Sequence, residues 1–262
     1  MADSDRKVPS VDPEADPSTL LESFTSAVRA GWHAVSSVSE PAPAVLVVLT
    51  AAVALALVSV RPLWLVTRHV ITQAHEGSHA LVARLVGRRL AGIRLHSDTS
   101  GVTVSSGNPR GPGMIATAFA GYTGPAALGF VAATLLTTGR PAAVLWSVLA
   151  ALALLILLIR NFFGFVSVLA VGAVIGIAAY YGDELVRYTV AYLTTWVLLF
   201  GATRPVLELA RTHRRGRGQG SDADQLRWLT RVPTAVWIVA FAVVTLGTAA
   251  YGTARIVAAQ VP

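Results

Sequence analysis

Within the segment ITQAHEGSHALVARLVGRRL, residues 71–90, His75, Glu76 and His79 sit inside an otherwise apolar run. Imidazoles four residues apart project from one face of a helix and can grip one metal ion. A glutamate next to the first of them can reach a water on that ion. Zinc suits such a pair: it takes a third protein ligand and leaves its fourth position to water, acidified to a pKa of roughly 7. Glu76 would accept a proton from that water as it attacks a peptide carbonyl, then pass it to the leaving amine. Amide hydrolysis is the chemistry this spacing fits. Taken alone, an HExxH string matches by chance in many proteins. In hydrocarbon, however, ionisable groups are costly and mark function by default. The competing explanations are a polar cluster that glues helices together and a pathway for ions or protons.

The rest of the chain must therefore supply a membrane. It has 262 residues, 54% hydrophobic and 13% charged, with mean hydropathy +0.60. That is too apolar for an ordinary soluble domain and predicts an all-α polytopic membrane protein. The net charge of +7 comes from arginines at the ends of apolar runs, a topology signal that argues against a nucleic-acid partner. The chain has no cysteine, which excludes disulfides and thiolate zinc sites. One lysine among 21 basic residues suggests an arginine-favouring bacterial genome, hence a bacterial cell membrane.

Residues 1–40 carry seven acids against three bases and read as a disordered tail. No cleavable signal peptide is expected there. Leu20, Leu21, Phe24, Val28, Trp32 and Val35 recur at helical spacing and allow an amphipathic surface helix. Residues 41–262 form the membrane domain. About seven transmembrane helices are expected, at 43–60, 63–87, 114–137, 141–159, 162–181, 185–203 and 234–254. Between the second and third, GIRLHSDTSGVTVSS alternates around Asp98, Thr99, Ser100 and Gly101 and predicts a small β-hairpin. Arginine clusters at 88–110 and 211–217 place both those loops in the cytoplasm, the N-terminus inside and the C-terminus outside.

AHEGSHALVARLVGRRLAGIRLHSDTSGVT resembles the site-2 protease family of intramembrane zinc metalloproteases, in particular its short bacterial branch. The likeness covers most of the chain after residue 60. It includes AGYTGPA from Ala120, RNFFG at 160–164 and SDADQL at 221–226. It implies zinc as cofactor, transmembrane substrate proteins as partners, and cleavage of a peptide bond in or beside a substrate's membrane span. Better-known members take the third zinc ligand from a Leu-Asp-Gly stretch that is absent here. In the short branch a Ser-Asp-Ala stretch looks like its replacement, matching Ser221, Asp222 and Ala223.

The scarcity of acids narrows that third ligand independently. Asp183 and Glu184 fall on the far side of the expected topology, and His69 lies too far along the helix from His79. Asp98 and His96, Glu208 and His213, and Asp222 or Asp224 remain. With the resemblance, Asp222 is favoured and Asp224 is the alternative. The same pair also makes an ordinary helix start capped by Ser221.

Asn161 and Tyr122 are possible substrate-binding residues, with a wet turn and close helix packing at Gly121 and Gly124 as the plain explanations. Arg68 is expected to snorkel to the outer surface. The hairpin offers a strand edge for an unwound substrate, or a structural lid. A transporter and a catalytically idle relative that binds transmembrane partners are the rival readings.

Overall fold

The computed structural model describes residues 35–216 and 220–260, together with scattered positions between 19 and 29. The amphipathic helix expected at 20–35 lies for the most part outside the described residues. From residue 44 onward the described residues form nine helices and one hairpin: α1 (Ala44–Ser59), α2 (Arg61–Leu85), β1 (Arg89–Leu95), β2 (Gly101–Ser106), α3 (Pro112–Thr137), α4 (Pro141–Leu158), α5 (Phe162–Tyr181), α6 (Glu184–Gly201), α7 (Thr203–Arg214), α8 (Asp222–Thr230) and α9 (Thr234–Ala258).

The expected seven spans reduce to fewer. Five helical segments among the described residues are long and apolar enough to cross a membrane: α3, α4, α5, α9, and α6 joined to α7 as Glu184–Arg214. Helices α1 and α2 pass only together, as a pair bent by 99°, the geometry of a broken span or a re-entrant loop. The break has a local cause. Pro62 lacks an N–H and cannot pair with the carbonyl of Val58, so the helix cannot run through. Val60 turns extended instead, and Arg204 Nη1 takes up the freed Val58 carbonyl.

The start of α1 and the end of α9 lie toward the same end of the helix bundle. Ser39 N–H donates to Gly139 O at 2.8 Å, so the entry to α1 lies beside the α3–α4 turn. Tyr251, about two turns from the end of α9, packs its ring against Phe130 on the same part of α3. The hairpin occupies the opposite face with the α4–α5 and α8–α9 connections. There Arg160 N–H donates to Ile93 O, and the Arg110 guanidinium lies over the Trp228 ring.

The hairpin is antiparallel, with an irregularity between Leu90 and Gly92. Its turn closes through His96 N–H to Ser100 O, with Thr99 at φ 70°. Ile93 and Leu95 are buried against Ala80 of α2, Leu155 of α4, Ile159 just past its end and Val168 of α5. The hairpin is thus docked into the helix bundle through one apolar face. A second apolar cluster joins Ala118 of α3, Val206 and Leu209 of α7, Ala223 and Leu226 of α8, and Phe241 of α9. That cluster seats the short helix α8 against the membrane spans.

Candidate metal centre

Helix α2 carries His75 and His79 on the face it turns toward α3. The approach of the two helices depends on small residues: a Cβ at Gly124 would lie 2.0 Å from Ser78 Oγ, and one at Gly121 2.3 Å from His79 Nε2. His79 is buried, and its Nδ1–H donates to the carbonyl of Thr117 at 2.7 Å. A carbonyl only accepts, so the proton sits on Nδ1 and Nε2 presents a lone pair to the space between the helices.

Asp222 reaches the same space from the first residue of α8. Its Oδ2 is 3.2 Å from His75 Nε2 and 3.2 Å from His79 Nε2, and the two imidazole nitrogens are 3.1 Å apart. Among the described residues these are the only three His or carboxylate ligands gathered closely enough to share an ion. Buried Asp222 Oδ2 accepts no well-aligned hydrogen bond, an orphaned anion unless a cation joins it. Tetrahedral zinc, with bonds of roughly 2.0–2.1 Å, needs ligand atoms about 3.3 Å apart. The three observed edges fit within a few tenths of an ångström, and the donor set of two imidazoles and a carboxylate is one zinc accepts.

Every other carboxylate left open by the sequence is engaged elsewhere. Asp98 Oδ1 accepts from Ser100 N–H at 2.9 Å and Ser100 Oγ at 2.6 Å, closing the hairpin turn, and His96 Nδ1 meets the same hydroxyl at 3.2 Å. Asp224 caps α8, accepting from Ser221 N–H, Ser221 Oγ and Thr234 Oγ1. Glu208 accepts from Trp64 Nε1 at 3.0 Å and pairs with Arg68 at 3.1 Å and Arg204 at 3.3 Å. Arg68, expected to snorkel, is thus paired with a carboxylate of the protein. It ties the first turns of α2 to α7, where a carboxylate offers more than lipid headgroups at a distance.

Glu76 is buried beside His75, with β2 laid across it. Thr103 Oγ1 donates to Glu76 Oε2 at 2.6 Å. Tyr122 stands edge-on to the His75 ring, with centroids 5.0 Å apart, and stacks on Phe241. Asn161 is not brought to the cluster. Its Nδ2 donates to Leu95 O at 2.6 Å and its Oδ1 accepts from Leu95 N–H at 3.1 Å, so both polar atoms serve the edge of β1.

A family model described as Peptidase M50B-like matches residues 48–252, most of the chain and nearly all of the elements just described. The chain belongs to that family. Comparison with curated proteins and with solved structures returns no match. Membership makes the chain a membrane-embedded protein of a peptidase family, in agreement with its apolar helices.

Two residues around the candidate metal centre of this M50B-like chain carry no signal in the sequence, Thr103 and Thr117, and Gly101 is legible only as a hairpin-turn glycine. The contacts of the two threonines join segments far apart in the chain, and nothing in their local spacing marks them. Gly121 is visible as a packing glycine in AGYTGPA, but its proximity to the ligands is not.

Proposed function

We propose that the protein is an intramembrane zinc metalloendopeptidase that hydrolyses a peptide bond in or near a transmembrane segment of a substrate protein. The observation that carries this reading is the convergence of His75 Nε2, His79 Nε2 and Asp222 Oδ2 beside a buried glutamate. His75, His79 and Asp222 hold the metal, and Glu76 is the general base. Zinc bound there supplies Lewis acidity to a water and to the scissile carbonyl.

The remaining steps belong to the protein. Thr117 O fixes the tautomer and orientation of His79 through Nδ1. Glu76 takes a proton from the attacking water and delivers it to the leaving amine nitrogen as the C–N bond breaks. Burial of the base limits competing bulk water. Tyr122, against His75, is placed to contact the substrate or the developing oxyanion.

The hairpin face carries Arg88, Arg89, Arg94, Arg110 and Arg160 together with the α7–α8 cluster around Arg214 and Arg215. The positive-inside rule assigns this face, and the site opening toward it, to the cytoplasm. The start of α1 and the end of α9 then lie outside.

The test uses purified protein and a co-expressed transmembrane substrate reporter. About one zinc per chain is expected in the wild type, on the coordination this donor set offers. His75→Ala should lose the metal, and Glu76→Gln should keep it while losing cleavage. Full cleavage by Glu76→Gln overturns the mechanism.

A further inference from the structure

We propose that the hairpin strand β2 is the holder of the general base, with Thr103 as the positioning residue that fixes which oxygen of Glu76 is free to take a proton. The proposal rests on the assignment of Glu76 as base.

The carboxylate is bracketed by two residues of one strand. Gly101 and Thr103 are two apart on β2, so they face the same side of the sheet, here toward α2. Thr103 has one hydroxyl proton and two oxygens of Glu76 within reach: carboxylate Oε2 at 2.6 Å and main-chain O at 3.0 Å. A distance of 2.6 Å is that of a charge-assisted O–H···O⁻ bond, and the proton goes to the carboxylate. Oε2 is thereby anchored. Oε1 accepts no hydrogen bond from the described residues and is the oxygen left for the water. Gly101 closes the other side. A Cβ there would lie 2.8 Å from Oε1 and 2.6 Å from Cγ, so any side chain would push the carboxylate out of place.

The strand can hold a position because it is itself held. Thr72 Oγ1 on α2 donates to Thr99 O at 2.9 Å at the hairpin turn. Asn161 and Arg160 fasten the outer edge of β1 through Leu95 and Ile93. The path Asn161–Leu95–β1–β2–Thr103 runs from the α4–α5 turn to Glu76, with hydrogen bonds at both ends and a ladder between. The RNFFG stretch thereby braces the hairpin that in turn braces the base.

The experiment compares Thr103→Val, which keeps shape and loses the donor, with Thr103→Ser, which keeps the donor and loses a methyl. It measures zinc content, KM and kcat on a transmembrane substrate in detergent or vesicles. Expected for Thr103→Val is unchanged zinc and KM with kcat down roughly tenfold to a hundredfold, the scale of an ångström-level misplacement. Thr103→Ser should recover most of kcat. Asn161→Leu, acting through the hairpin, should lower kcat with zinc retained. A Thr103→Val protein with wild-type kcat overturns the proposal, as does a Ser variant no better than Val. Glu76→Gln run alongside separates the levels: if it still cleaves, the base assignment itself has failed. If it is dead while Thr103→Val is fully active, only the positioning role has.

Discussion

Gly121→Ala is the sharpest probe of the metal centre, because local and tertiary reasoning predict opposite results. In a helix interior alanine is favoured over glycine by about 0.8–1 kcal/mol. On that ground alone the substitution should stabilise α3. The surroundings reverse the sign. A Cβ at this position would stand 2.3 Å from His79 Nε2, 2.5 Å from Cε1 and 2.7 Å from Asp222 Oδ2. Contacts between non-bonded carbons settle at about 3.5–4.0 Å, so the two ligands must retreat by roughly 1 Å. Metal–ligand distances tolerate only about ±0.2 Å. His79 cannot retreat freely, since its Nδ1–H is fixed to Thr117 O, and Asp222 is fixed by the docking of α8 through buried Ala223 and Leu226. Two of three ligands are therefore lost together. Disturbing even an outer-shell partner weakens metal affinity by about 10–100-fold, and direct displacement should exceed that. The assay is elemental analysis of purified protein after dialysis against a weak chelator, with thermal melting to verify folding. A folded, metal-free variant is expected. A Gly121→Ala protein that retains one zinc per chain refutes the convergence of these three side chains on an ion.

Asp222→Asn should lose zinc, whereas Asp224→Asn should keep it and destabilise α8 by about 1 kcal/mol through the weakened cap, a contrast read by metal content and melting temperature. Glu208→Ala strands two arginines and the indole of Trp64, and should cost about 1–3 kcal/mol in unfolding free energy without changing zinc stoichiometry. In the hairpin turn, hydrogen bonds from Ser100 hold the Asp98 carboxyl below its usual range. A lowered folded-state value means that its stabilisation is present above the ordinary Asp pKa of about 3.9 and is lost as pH falls below it. Hydrogen exchange at the turn, compared with Asp98→Asn, should differ at neutral pH and converge in acid.

Local pattern was enough for the membrane class, the HExxH helix and the hairpin, because these depend on composition, on period 3.6 and on period 2. His75, His79 and Asp222 could be proposed together because acids are scarce and the Ser221-Asp222-Ala223 stretch resembles that of the site-2 protease family's short branch, with Asp224 as the alternative. The expected seven spans and the five or six candidate crossings of the described residues differ at Pro62, where a proline near the start of an apolar run bends the chain by 99° between α1 and α2. The fate of Arg68 was equally hidden: only the approach of α7 shows that Glu208 is there to meet it.

What the chain alone determined is the chemistry available, since residue types and i, i+4 spacing decide which ligands and base a helix can offer one ion. Tertiary structure decided which carboxylate meets the two imidazoles. Asp98 and Asp224 are satisfied within their own turn and helix cap by Ser100 and Ser221, Glu208 is met by Trp64 and Arg68 of α2, and the buried Asp222 Oδ2 is left facing the imidazoles. That outcome depends on long-range docking of α8 and of the hairpin, and no local period encodes it.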